Sequence, residues 1–325
     1  MCVLVAALAA IGRPLRADER RYTVAFANVS EEAGVTLEST GFTGRDVRES
    51  FALAARRYPI DLVFYDNGRD CSRAAANVED AIARKVAVFI QYCHHAQPNA
   101  VVAEKLKAAG IPVIAVNEAV PEAPLYTLDN RAAGQLAGDA LGAFANRAWR
   151  GERIDAVIIG PLMARGVPER ARGAQERLLH HLPAARMTNL DTQGNTGHVA
   201  SLIGKLVAGR PGTKILVAAM DDATALAAKG ALESLGRLAD VAIVGQGLDR
   251  SVHGGMSDRK EIDPANRGSV VLGSVAFYLD RYGYEILPLA MRMLRGEAVP
   301  PRTVTPHRLV TAANVFVEYP PYDMQ

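Results

Sequence analysis

The side chains best suited to chemistry in this chain gather in short polar clusters that follow apolar, β-rich runs: Ser30 and Glu31; Gln91, Tyr92 and His94; Asn117 and Glu118; Asp221 and Asp222; Gln246 and Asp249. Carboxylates and carboxamides exchange paired hydrogen bonds in a fixed plane, which suits a hydroxyl-rich small molecule and leaves few buried polar groups unpaired. Tyr92 and Phe277 add rings able to cover the apolar face of a sugar.

Signatures of bond-breaking chemistry are missing. The turn after the first strand reads Asn28-Val29-Ser30-Glu31-Glu32, whose carboxylates repel the phosphates that a glycine-rich dinucleotide turn would cradle. Gly245-Gln246-Gly247-Leu248-Asp249-Arg250 lacks the third glycine of that fingerprint, and Gly204-Lys205-Leu206 fails as a P-loop. Neither a G-x-S-x-G elbow nor an H-E-x-x-H helix occurs. Cys93-His94-His95 is not expected to bind metal, because neighbours on a strand end point in opposite directions and do not close one tetrahedral site. No metal and no cofactor is expected. Cys71 and Cys93 either form one disulfide or stay free thiols, since spacing does not place their Cβ atoms.

The elements that must carry these groups alternate regularly. Short apolar runs such as Tyr22–Val29, Val86–Gln91, Ile154–Ile159 and Lys214–Ala219 are separated by amphipathic stretches such as Arg45–Arg57, Ala132–Phe144, Glu169–His181 and Ala223–Leu235. That is the pattern of parallel strands joined by helical crossovers, an α/β fold. A chain of 325 residues exceeds one ordinary domain, and its halves echo each other. Two Rossmann-like lobes with parallel sheets are therefore predicted, their strand ends facing across one cleft. Within them, Asp129 and Asp222 are expected to cap the helices that follow, leaving Asp221 as the ligand group. Glu169-Arg170 reads either as a binding pair or as a solvated helix pair, and His94 as a surface residue without a charged partner.

The segments Ala76-Asn77-Val78-Glu79-Asp80, Gly110-Ile111-Pro112-Val113-Ile114, Asp129-Asn130-x-x-Ala133-Gly134, Glu169-Arg170-x-x-Gly173, Met220-Asp221-Asp222-Ala223, Gly273-Ser274-Val275-Ala276-Phe277 and Tyr282-Gly283 run in the order seen in type I periplasmic binding proteins. From Tyr22 to about Val317 the chain resembles the ribose and galactose receptors of that family. The resemblance implies a three-stranded hinge, with residues 22–128 plus 278–306 in one lobe and residues 129–277 plus 307–325 in the other. It also implies a sugar or polyol in the cleft and delivery of the complex to an ABC transporter permease. Carried over by position, Asn117 and Glu118 stand where the ribose-type pattern has an Asp-Arg pair. Pro168 replaces a ligand-binding Arg, with Arg165 or Arg170 as substitutes, and Asp249 stands in for a carboxylate displaced by Gly247. Met220 and Phe277 replace an Asn and a Gln, so ribose itself is not expected. The loop Ser30–Phe42 is longer than the pattern and is expected to add contacts of its own.

Residues 1–21 read as a signal peptide and leader: Val3–Ile11 is apolar, too short to span a bilayer, and Leu15 and Ala17 precede a cleavage point, although a basic leader is missing. Export to the periplasm and a monomeric state are expected. A formal net charge of +2, from 37 basic and 35 acidic residues scattered along the chain, gives no support to nucleic-acid binding. The effector core of a sugar-responsive regulator is the alternative, but the residues before Tyr22 do not read as a recognition helix; an α/β enzyme is the third reading.

Overall fold

The computed structural model describes residues 21–254 and 260–320. The expected leader, including Cys2, lies outside them except for Arg21, as does the end of the second lobe beyond residue 320.

The first lobe is built from β1 (Tyr22–Asn28), α1 (Gly44–Ala55), β2 (Ile60–Asp66), α2 (Ala74–Ala83), β3 (Val88–Tyr92), α3 (Ala96–Ala108), β4 (Val113–Val116) and β5 (Leu125–Thr127). The chain then crosses into α4 (Asn130–Ala148), β6 (Ile154–Gly160), α5 (Val167–His181), β7 (Arg186–Asp191), α6 (Val199–Ala208), β8 (Lys214–Ala219), α7 (Asp222–Ser234), β9 (Val241–Gly247) and β10 (Val271–Ala276). It returns through α8 (Tyr282–Leu294) and β11 (Arg302–Val304), and crosses a third time into β12 (Leu309–Val310) and α9 (Val315–Glu318). The strands form two six-stranded sheets, ordered β11-β5-β4-β3-β1-β2 and β12-β10-β9-β8-β6-β7. Every pairing is parallel except β10 with β12. This is the two-lobed α/β architecture expected from the alternation.

Central strands are apolar along their whole length because both sheet faces are covered. Val24 and Phe26 of β1 point to one side, where Phe26 stacks on Phe51 of α1 at 4.0 Å; Ala25 and Ala27 point to the other, toward Val78 of α2 and Val102 of α3. In the second lobe Ala156 and Ile158 of β6 face one layer, and Val157 and Ile159 the other.

Two glycines let α4 and α5 touch backbone to backbone. A Cβ on Gly134 would sit 1.8 Å from the Arg170 carbonyl oxygen, and one on Gly173 2.1 Å from that of Arg131. This close crossing seats Arg170 against Asn130. Strand β7 (RMTNLD) was not anticipated, because an edge strand open to solvent carries no apolar run; β5, β11 and β12 are too short to show a period. Helix α3 starts at Ala96, with Pro98 in the first turn, where no helical N–H partner is lost.

Cys71 and Cys93 are disulfide-bonded, with Cα atoms 5.9 Å apart. The bridge ties the loop after β2 to the end of β3. At the crossings, the Asp129 N–H donates to His307 Nε2 at 3.2 Å, and His307 Nδ1 lies 2.9 Å from the Ala276 carbonyl. One imidazole therefore joins all three crossings, and with Nε2 accepting, Nδ1 carries the hydrogen.

Candidate functional site

In each sheet the strand order reverses beside the first strand of its lobe: β1 lies between β2 and β3, and β6 between β7 and β8. Parallel sheets receive ligands at the carboxyl ends of strands flanking such a reversal. The loops after β1, β3, β6 and β8 are therefore placed to meet a ligand, and Ser30, Glu31, Arg165 and Asp221 lie in them, while Asn117, Glu118, Asp249 and Phe277 follow β4, β9 and β10.

The centre of the site is a segment of the chain itself. After β1, residues 36–43 form a small hairpin: Thr36 bridges Thr43, the Leu37 N–H donates to the Phe42 carbonyl at 2.8 Å, and the Thr40 N–H to the Leu37 carbonyl at 3.0 Å. Glu38 and Ser39, the central residues of that turn, have φ of 53° and 50°. Positive φ at both places is the mark of a type I′ turn, which ordinarily takes Asn-Gly. Glu-Ser there costs about 1 kcal/mol per residue, so the surroundings must hold the tip in place. Leu37 and Phe42, both buried, anchor its base in the core.

The Glu38 side chain is 4% exposed. Oε1 accepts from Tyr92 OH at 2.7 Å and Asn117 Nδ2 at 2.8 Å and lies 2.8 Å from His94 Nε2, while Arg165 Nη1 is 3.5 Å from Oε2. Burial pushes this carboxyl upward, but the His94 contact, the Arg165 charge and the Tyr92 hydroxyl outweigh it and hold it down to about 2. The same burial and the neighbouring Glu38 charge push the Tyr92 hydroxyl well above the ordinary phenol range. Asn117 also shares its amide hydrogens with Tyr92 OH and Tyr282 OH. Arg165, from the second lobe, donates to the Asn117 carbonyl at 2.8 Å and to Glu118 at 2.7 Å.

Arg170 is completely buried. Its Nη1 donates to the carbonyls of Met220 (2.6 Å) and Ser39 (3.2 Å), its Nη2 to the Glu38 carbonyl (2.9 Å) and Asn130 Oδ1 (2.9 Å), and its Nε to Asn130 Oδ1 (3.2 Å). All five N–H groups are used. The guanidinium lies 4.2 Å above the Phe277 ring, and burial pulls its pKa down to about 10. On the far side of the tip, the Gly41 N–H donates to Asp249 Oδ2 at 3.0 Å; a Cβ on Gly41 would lie 2.2 Å from that oxygen.

Of the predicted residues, Tyr92, Asn117, Glu118, Arg165, Arg170, Asp249 and Phe277 thus gather around the hairpin tip. Gln246 is close, its Nε2 3.8 Å from Met220 Sδ, and its buried Oε1 has no partner. Asp221 lies at the end of β8, but its oxygens accept from Thr224 N–H and Oγ. The expected cap assignment is therefore corrected: Asp221 caps α7. Asp222 sits inside the fold, accepting from Ser274 Oγ and the Asp249 N–H, and burial followed by the Asp249 charge raises its carboxyl. Three predicted residues stand apart. Gln91 belongs to an internal network with Asn67 and Asn99, the Ser30 hydroxyl accepts from the Glu32 N–H, and Glu31 pairs with Arg48.

The solvated-pair reading of Glu169-Arg170 is also corrected, since Glu169 pairs with Arg172 while Arg170 is buried. His94 has the charged partner it was thought to lack. Glu38, Gly41 and Asn130 were missed as contributors, and His94, although placed in a polar cluster, was read as a surface residue. For Glu38 the available signal was the length of the loop and the polar tip framed by Leu37 and Phe42.

Residues 33–298 match the model of the periplasmic binding protein domain. Among solved structures, an ABC transporter solute-binding protein from Bacillus halodurans C-125 with bound myo-inositol is 20% identical, with a TM-score of 0.65 over 92% of this chain and 96% of that one. A periplasmic solute-binding protein from Actinobacillus succinogenes with bound D-allose is 16% identical, with a TM-score of 0.68 over 90% and 98%. A carbohydrate transporter solute-binding protein from Agrobacterium radiobacter in complex with D-arabinose is 18% identical, with a TM-score of 0.64 over 91% and 96%. No curated protein sequence matches.

Proposed function

The chain belongs to the periplasmic binding protein family, and on that premise we propose that it is the substrate-binding component of an ABC importer, taking up a sugar or polyol between its lobes and presenting it to a permease. The observation that carries this reading is the convergence of hydrogen-bonding groups from opposite lobes, Tyr92 and Asn117 on one side and Arg165, Arg170 and Asp249 on the other, on a single strip of chain at both sheet reversals. Groups that belong to two bodies and grip one object favour the arrangement in which the bodies are together, so ligand contacts with both lobes would bias the protein toward the closed form that a permease recognises.

The same reading makes the protein a monomer exported to the periplasm. The Cys71–Cys93 disulfide supports export, because such bonds persist in oxidising compartments. Incubating the purified protein with a panel of sugars and polyols tests the proposal. A receptor gains thermal stability with its ligand and returns it chemically unaltered by mass spectrometry. A converted compound, or no stabilisation by any of them, would refute it.

A further inference from the structure

The strip of chain gripped by the two lobes has the chemistry of a small molecule. Read along the hairpin tip it offers a carboxylate (Glu38), two carbonyl acceptors (Glu38 and Ser39) and one N–H donor (Gly41), met in turn by the Tyr92, His94, Asn117 and Arg165 cluster, by Arg170 and by Asp249. A polyhydroxy acid carries the same order of groups, since hydroxyls both accept and donate. We propose that the tip Glu38–Gly41 is a tethered occupant of the cleft, displaced on binding, and that the ligand is a carboxylated sugar, an aldonate or uronate, whose carboxylate takes the place of the Glu38 side chain.

The inference rests on the receptor reading above and narrows it from sugars in general to sugar acids. Three donors converge on Glu38 Oε1 and a guanidinium reaches Oε2. A carboxylate has about four lone-pair sites to satisfy such a set, whereas a hydroxyl has two. A neutral hydroxyl in the same place would accept from two of the four at most and would leave His94 and Arg165 without the carboxylate they face. The tip is also suited to leaving. Both central residues of its turn are left-handed without being glycine, a strain that persists only while the surroundings impose it. Its buried anchors Leu37 and Phe42 lie outside the gripped segment. Gln246 Oε1, near the end of β9, is buried and unpartnered, an acceptor that a ligand hydroxyl would fill.

The experiment compares the wild-type chain with Glu38→Ala and Glu38→Gln. Calorimetry measures binding of D-gluconate, D-glucuronate, D-glucose and myo-inositol, and thermal melts are recorded in sodium acetate against sodium chloride at equal ionic strength. Removing the tethered competitor raises the binding-competent fraction. Glu38→Ala is therefore expected to bind a sugar acid at least about tenfold more tightly than wild type, to prefer it to the neutral sugars, and to gain a saturable rise in melting temperature from acetate that chloride does not give. Glu38→Gln, which keeps the side-chain shape, takes the same measurements if the alanine variant does not fold, with a gain in the same direction. Sugar-acid affinity that is unchanged or lower in the variants, with no acetate effect, overturns the inference. A neutral sugar that binds wild type and variants alike also overturns it but leaves the receptor reading standing. Absence of any binding across the panel and of any acetate effect removes both.

Discussion

Replacing Arg170 with methionine tests whether the second lobe is organised around a single buried guanidinium. The side chain is fully buried and has nearly the volume of its replacement, so the loss is one of hydrogen bonding rather than of packing. Truncation leaves four acceptors without a donor: the carbonyls of Met220, Glu38 and Ser39, and Asn130 Oδ1. An unpaired buried acceptor costs about 1–3 kcal/mol, so the four together cost about 4–12 kcal/mol before relaxation, toward the low end because the Ser39 carbonyl and Asn130 Oδ1 are only part-buried. Against this stands the burial penalty on the charge. A pKa drawn down to about 10 corresponds to about 3 kcal/mol that the folded protein no longer bears once the group is gone. The net expectation is a destabilisation of about 4 kcal/mol, in line with the cost of breaking other buried charged networks.

Urea unfolding followed by circular dichroism reads that number directly. Thermal melts should fall by about 10 °C at the usual conversion for domains of this size. Arg170→Lys separates charge from geometry, because an ammonium cannot serve four acceptors spread around a planar fork. It is expected to recover less than half of the loss. A methionine variant that melts within about 2 °C of wild type, or a lysine variant with full stability, would refute the assignment. Amide exchange at residues 37–42 gives an independent readout, since two of the four acceptors are carbonyls of the hairpin tip; protection there should drop in both variants.

Two further expectations follow from the crossings and the disulfide. Burial lowers the pKa of His307 below its ordinary value, so the unfolded chain binds the proton more readily; the stabilising contribution is complete above pH about 6.5 and is lost as pH falls below it. The pH profile of stability should flatten on that side in His307→Asn, and an unchanged profile would separate the imidazole from the hinge. Removing the Cys71–Cys93 bridge opens a loop with a sequence separation of 22, and the chain-entropy model gives a loss of about 3 kcal/mol; Cys71→Ser/Cys93→Ser that unfolds at the wild-type urea midpoint would count against it.

Much of the framework was legible in the residues because it depends on local periodicity. The apolar runs of β1, β3, β6, β8 and β9 repeat between amphipathic helices, and buried parallel strands leave that trace wherever both sheet faces are covered. The glycines Gly134 and Gly173 and the pair Asn130 and Arg170 stood out in the ordered segments, and they prove to be one contact, the close crossing of α4 and α5 that seats the arginine. Edge strand β7 left no such trace, since none of its residues is buried.

Strand ends were therefore readable, and with them Tyr92, Asn117, Arg165, Arg170 and Asp249; what each grips was not. Gln91 and Tyr92 are adjacent in sequence, but alternation sends one into an asparagine network and the other into the cleft. Asp221 took the capping role expected of Asp222, which is buried inside the fold, because a cap is decided by which carboxylate the backbone turns toward the first free amides. The largest gap was Glu38. A Glu-Ser pair carries none of the turn chemistry of Asn-Gly, and nothing local makes it adopt left-handed backbone. That conformation exists because groups far away in the chain, Tyr92, Asn117, Arg165 and Arg170, hold the tip from two lobes at once, and long-range contacts of this kind are set by the packing of the whole molecule.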